Sequence, residues 1–104
     1  MTTKKLKDSS NFEEQILGGR LTFGAAVEAL RVGEEITQVA FAKTLGVSRQ
    51  YLCDVEKGRR LVSPGQAARF AKAFGHPPNV LVRLALQDEI SACGLKLRVR
   101  IEAA

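Results

Sequence analysis

Beyond the paired glycines Gly18 and Gly19, the apolar residues fall into helical spacing. Phe23, Val27 and Leu30 stand at i, i+4 and i+7, which lines one side of a first helix, and Gly33 is placed to end it. Thr37 has the chemistry of an N-cap for a short second helix from Gln38 to Leu45, burying Phe41, Ala42 and Leu45 and stopping at Gly46. Ser48 caps a third helix from Arg49 to about Lys57, with Leu52 and Val55 inward and Gly58 at its end. Ser63-Pro64 supplies a cap followed by proline in the first helical position, and Ala67, Phe70, Ala71 and Phe74 form the stripe of a fourth helix that Gly75 closes. After the extended turn His76-Pro77-Pro78, a fifth helix keeps Leu81, Leu84 and Ala85 inward and ends at Gly94.

Two flanking stretches follow other rules. In the last stretch Leu95, Leu97, Val99 and Ile101 alternate with Lys96, Arg98, Arg100 and Glu102, the period of a strand. A lone strand after five helices has no sheet in its own chain, so its backbone is expected to pair with a second copy, making Leu95, Leu97, Val99 and Ile101 dimerisation residues. Residues 1–20 read as a flexible arm with an apolar island at Phe12, Ile16 and Leu17. Ser10-Asn11-Phe12-Glu13 has capping-box spacing, so a helical turn or two can form there, too short to persist alone. The expected organisation is an arm over 1–20, a helical domain over 21–94 and a dimerisation strand over 95–104.

Composition narrows the function. At 104 residues the chain has room for one domain, and 45% apolar residues with no Trp favour packed helices over an aromatic core. The net charge is +5, and the window from Lys43 to Lys72 accounts for all of it: Lys43, Arg49, Lys57, Arg59, Arg60, Arg69 and Lys72 stand against Asp54 and Glu56. Localised positive charge is the footprint of a nucleic-acid partner. Cys53 and Cys93 have neither zinc-ligand nor redox spacing and read as small buried fillers. No phosphate loop, paired acids or nucleophile-base pattern is present, so the chain reads as a non-enzyme with no cofactor, metal or small-molecule substrate. Lys4, Lys5 and Lys7 lead into polar residues, not a signal-peptide core, and Arg83 breaks the most apolar C-terminal stretch, so the expected location is the bacterial cytoplasm, at the nucleoid, with no membrane partner.

The segment from Thr37 to Gly58 carries the chemistry. Ala42 is small enough for two helices to cross closely, Gly46 supplies a left-handed turn and Val47 fills the angle between them. The N-terminal part of the following helix would enter the major groove, which places Ser48, Arg49, Gln50 and Tyr51 at base edges. Arginine suits guanine and glutamine suits adenine. Gln38 and the free amides at the start of its helix suit a phosphate, while Lys43, Lys57, Arg59 and Arg60 flank that face. At about four phosphates per subunit, a dimer should show a log-log salt slope of roughly −7. Asp54 reads as a local salt-bridge partner and Tyr51 as divided between groove contact and packing.

Thr37-Gln38, Ala42, Leu45-Gly46-Val47-Ser48, Leu52, Val55-Glu56 and Gly58 resemble the Xre, or lambda-repressor-like, helix-turn-helix signature. The resemblance runs from about Leu21 to Asp88 and implies an all-α, five-helix domain. Within that family, the size and the segment from Arg59 to Ala85 resemble HigA-type antitoxins of toxin-antitoxin modules. The resemblance implies a homodimer that represses its own operon from a palindromic double-stranded operator and binds a HigB-type toxin, an mRNA endonuclease similar to RelE. The long arm departs from many such antitoxins, so the toxin site is read from residues instead: Glu13 and Glu14 beside Phe12, Ile16 and Leu17 suit a basic, grooved surface. The rival readings are a stand-alone Xre repressor whose arm binds nothing, and a toxin-capturing protein for which DNA binding is secondary.

Overall fold

The structure, a computed structural model, describes residues 20–104. The expected toxin contacts Phe12, Glu13, Glu14, Ile16 and Leu17 lie outside the described residues. Among the described residues five helices follow one another: α1 (Phe23–Gly33), α2 (Gln38–Leu45), α3 (Arg49–Glu56), α4 (Pro64–Phe74) and α5 (Asn79–Ala92). Four of them begin as their sequences dictate. The hydroxyls of Thr22, Thr37, Ser48 and Ser63 each accept the N–H three residues on, at 3.0–3.1 Å. The fifth starts after Pro78 without a side-chain cap.

Helix α1 receives a second contact at its start, because the Asp88 carboxylate on α5 accepts the Phe23 N–H at 3.1 Å and pairs with Arg20 at 2.8 Å. That acid sits against the positive end of the helix dipole and ties the first helix to the last. The end of α1 falls where expected, with its left-handed turn placed further on. Gly33 is its last helical residue, but the left-handed position falls on Glu35, with φ of 58°. Arg31 explains the choice: its carbonyl accepts the Ile36 N–H at 3.0 Å and its guanidinium donates to the Ile36 carbonyl at 2.8 Å, which closes the turn around Glu35.

The core is a single cluster in which α4 packs chiefly on α5 and carries the aromatic centre. Phe70 meets the rings of Phe23 and Phe41 edge-on, at 5.2 and 6.1 Å, and Phe41 stacks on Phe74 at 4.4 Å. Leu52 and Val55 of α3, Val27 of α1 and Leu84 of α5 are fully buried around them. One close approach sets how α1 crosses α3. A Cβ on Gly24 would stand 2.1 Å from the Val55 carbonyl oxygen and 2.8 Å from that of Glu56, so the two helices touch through bare backbone.

Residues 95–104 form no strand, since a single chain offers them no neighbouring strand to pair with. Part of their backbone is satisfied instead by a side chain: Gln87 of α5 donates through Nε2 to the Leu97 carbonyl and accepts the Val99 N–H on Oε1, both at 2.8 Å. Leu95, Leu97 and Ile101 are exposed, while Val99 is half-buried. Cys93 is exposed as well, against the expectation of a buried filler, because it caps α5 beyond the packed face, whereas Cys53 is half-buried.

Candidate nucleic-acid interface

The link between α2 and α3 is built as its residues require. Gly46 takes φ of 75° and its N–H returns to the last turn of α2, while the Val47 N–H reaches the Ala42 carbonyl at 3.0 Å. This left-handed stop reverses the chain within two residues. Ala42 is buried where the helices cross, and Val47 packs half-buried against the core. Ser48 then starts α3 at once.

Glu56 near the end of α3 fixes the orientation of the pair. Its carboxylate is buried and accepts from Arg31 Nε at 2.7 Å, Arg31 Nη2 at 3.1 Å and Gln38 Nε2 at 2.9 Å. One acid thus joins the end of α1, the start of α2 and the end of α3. The bidentate geometry is the strong form of a carboxylate-guanidinium pair. Its hydrogen bond to Glu56 pushes the Arg31 guanidinium above its ordinary value, against the opposing effect of burial, so Arg31 stays charged throughout the physiological range.

The sequence-expected contact residues divide into two groups. The side chains of Lys43, Arg49 and Lys57 are exposed and make no hydrogen bond or ion pair among the described residues. The backbone N–H groups of Gln38 and Val39, at the exposed start of α2, likewise have no acceptor among the described residues. These cations and amides face solvent with their full charge or donor capacity.

The others are engaged inside the protein. The Gln38 amide is bound to Glu56, which corrects the expectation that it points at a phosphate; its backbone N–H keeps that capacity. Gln50 donates to the Asp54 carboxylate at 3.0 Å, and Arg59 pairs with the same oxygen at 3.1 Å, the local salt bridge expected of Asp54. The Arg60 guanidinium lies 4.9 Å over the Tyr51 ring, and Gln66 donates to the Tyr51 hydroxyl at 3.4 Å, so Tyr51 is a packing residue on the rim of the surface. Ser48 serves as the cap. Gln50 is held by one exposed contact and Arg59 by exposed contacts to Asp54 and the Cys53 Sγ, all of which a base or phosphate can replace.

Two contributors escaped the sequence. Arg69 of α4, counted only as part of the basic window, donates to the Leu45 carbonyl at 2.8 Å and steadies the C-terminal end of α2. Arg31 lies outside that window, and only the buried Glu56 gives it meaning. Periodicity along one helix contains no signal for either contact.

Comparison with known proteins agrees with this geometry. Residues 22–84 match a family model described as a helix-turn-helix domain. A curated relative, the ImmF control region 10 kDa protein of Bacillus phage phi105, is 38% identical over 64 residues, which are 62% of this chain and 71% of the phage protein. The restriction-modification controller protein C.AhdI from Aeromonas hydrophila superposes with a TM-score of 0.53 at 32% identity, over 57% of this chain and 89% of the controller. The clp gene regulator ClgR from Corynebacterium glutamicum gives 0.55 at 29% identity, over 64% of this chain and 85% of the regulator. Among the described residues no helix is long and apolar enough to cross a membrane. With the matched region spanning all of α1 to α4 and the turn between α2 and α3, the chain belongs to the helix-turn-helix domain family and is a DNA-binding transcriptional regulator.

Proposed function

We propose that the protein is a cytoplasmic, sequence-specific repressor that binds a palindromic operator as a homodimer and represses its own operon. The observation that carries this reading is the state of the surface at the start of α3. The Arg49 side chain has no partner there among the described residues, beside Gln50 and the open amides of α2. A guanidinium with no internal bond loses nothing when it turns to a guanine edge, whereas the amides and Lys43 and Lys57 suit phosphates. The relatives, a phage control-region protein, a restriction-modification controller and a clp gene regulator, support a role in controlling specific genes. Binding selection from a random duplex library at low ionic strength tests it. Arg49→Ala should cost about 1–3 kcal/mol and relax preference at one base, whereas Lys57→Ala should weaken all sequences alike. Equal losses on every duplex from both variants would refute the assignment.

A second task, neutralising a HigB/RelE-type toxin, is proposed for the arm over residues 1–20. The supporting observation is the apolar island Phe12, Ile16 and Leu17 flanked by Glu13 and Glu14, a pattern suited to folding on a basic partner. Removing residues 1–19 separates the readings. An antitoxin keeps operator binding and loses neutralisation of its toxin, while a stand-alone repressor changes in neither respect.

A further inference from the structure

We infer that the segment from Leu95 to Glu102 is a half-built ribbon whose one open edge takes the same segment of a second copy, antiparallel, in the register that sets Arg98 of each copy opposite Glu102 of the other. The inference rests on the homodimer proposed above and gives it a geometry.

The starting point is the Gln87 carboxamide. By donating to the Leu97 carbonyl and accepting the Val99 N–H, it makes the pair of bonds that one residue of a neighbouring parallel strand would make to the residues on either side of its opposite number. The side chain is buried and held further by Ser91. That edge of the segment is therefore closed. Along an extended chain the N–H and C=O groups of successive residues point to alternate sides, so those of Arg98 and its even-numbered neighbours Arg100 and Glu102 point away from Gln87. No partner for them occurs among the described residues. A row of open backbone groups beside exposed Leu97 and Ile101 is an edge that recruits a strand.

The charges, the apolar face and the length of pairing together choose the occupant and its register. Lys96, Arg98, Arg100 and Glu102 share one face of the extended segment, with Leu95, Leu97, Val99 and Ile101 on the other. If two copies met with Arg98 opposite Arg98, every charged pair would be cation against cation. A shift that sets Val99 opposite Val99 brings Lys96 to Glu102 twice but also Arg98 to Arg100 twice. The next shift, with Arg100 opposite Arg100, places Arg98 against Glu102 twice and leaves one like pair, whose members have the two glutamates as diagonal neighbours. It also places Val99 against Ile101 twice on the apolar face. A further step, with Ile101 opposite Ile101, pairs Arg100 with Glu102 twice without a like pair, but it loses both Val99–Ile101 pairs and shortens the paired stretch from residues 96–104 to 98–104. Cross-strand opposite charges and β-branched pairs are each favourable, and like charges directly opposite are not. Gln87 acts as the positioning residue, holding each segment so that only its even-numbered edge is offered.

Charge exchange in the full-length protein, read by sedimentation equilibrium, tests the register. Arg98→Glu and Glu102→Arg should each raise the dimer dissociation constant about tenfold, and the double variant Arg98→Glu/Glu102→Arg should restore it to within about twofold. Arg100→Glu/Glu102→Arg should give no such rescue. Gln87→Met, which keeps the length of the side chain and removes its amide, should also weaken the dimer and speed amide exchange at Val99, with the helical signal of the domain retained. A dimer that survives all of these variants unchanged, or is rescued only by the Arg100 pair, overturns the register while the homodimer stands. A protein that is monomeric at its highest soluble concentration overturns both.

Discussion

Replacing Gly24 by alanine should destabilise the domain although glycine is a poor helix former. The residue sits in the first turn of α1, and in the absence of neighbours its change to alanine would stabilise a helix by about 0.5–1 kcal/mol. Here the new Cβ would stand 2.1 Å from the Val55 carbonyl oxygen. Non-bonded carbon and oxygen settle at about 3.2–3.5 Å, so α1 must retreat by about 1 Å from the backbone of α3. Neither obstacle is a flexible side chain: both close atoms are carbonyl oxygens, and the Phe23, Val27, Leu52 and Val55 side chains around them are already buried. Overpacking of this kind costs about 1–3 kcal/mol and at a backbone contact belongs at the upper end, leaving a net loss of about 2 kcal/mol. In a domain of this size that lowers Tm by about 8–16 °C. Thermal unfolding followed by circular dichroism measures it, and Gly33→Ala is the internal control. That glycine is also helical but has nothing within 4 Å of an added Cβ, so its Tm should rise by a few degrees. A Gly24→Ala protein as stable as the parent, or more stable, would refute the claimed close approach.

Other substitutions probe the remaining devices. Glu56→Leu leaves the buried Arg31 charge without its partner and should cost about 3–5 kcal/mol in denaturant unfolding, while Arg31→Met/Glu56→Leu should regain most of the loss; additive effects would show that the pair is not coupled. Glu35→Gly relieves a left-handed non-glycine residue and should stabilise the domain by about 0.5 kcal/mol, so a lowered Tm would contradict the turn geometry. Operator affinity should fall with salt at a log-log slope of about −7 for the dimer, and a slope near −2 would mean that most of the exposed cations do not reach the phosphates.

The helices were legible because their signals are local. Thr37, Ser48 and Ser63 cap, and Gly46, Gly58 and Gly75 turn left-handed, where the hydroxyls and glycines of the sequence said they would. What stayed hidden depends on residues far apart in the chain. Asp88 reaches the start of α1 across 65 positions, and Gln87 reaches the C-terminal segment from a helix face that periodicity marks only as buried. Alternation in residues 95–102 contained nothing about which backbone groups would find partners in a single chain. Of the candidate contact residues, the sequence placed Lys43, Arg49 and Lys57 on the open surface; it had no means of showing that the Gln38 amide would be drawn to Glu56.

The buried carboxylate joining α1, α2 and α3 has an evolutionary consequence. Everything that holds the two crossing helices at their angle, Glu56 with Arg31 and Gln38, the Gly46 turn and Ala42, lies away from the outward positions 49 and 50. If positions 49 and 50 read bases as proposed, descendants of this chain can exchange the letters they read on the operator one side chain at a time without first relearning how to fold, and duplicated copies can drift to new target sites while sharing one scaffold.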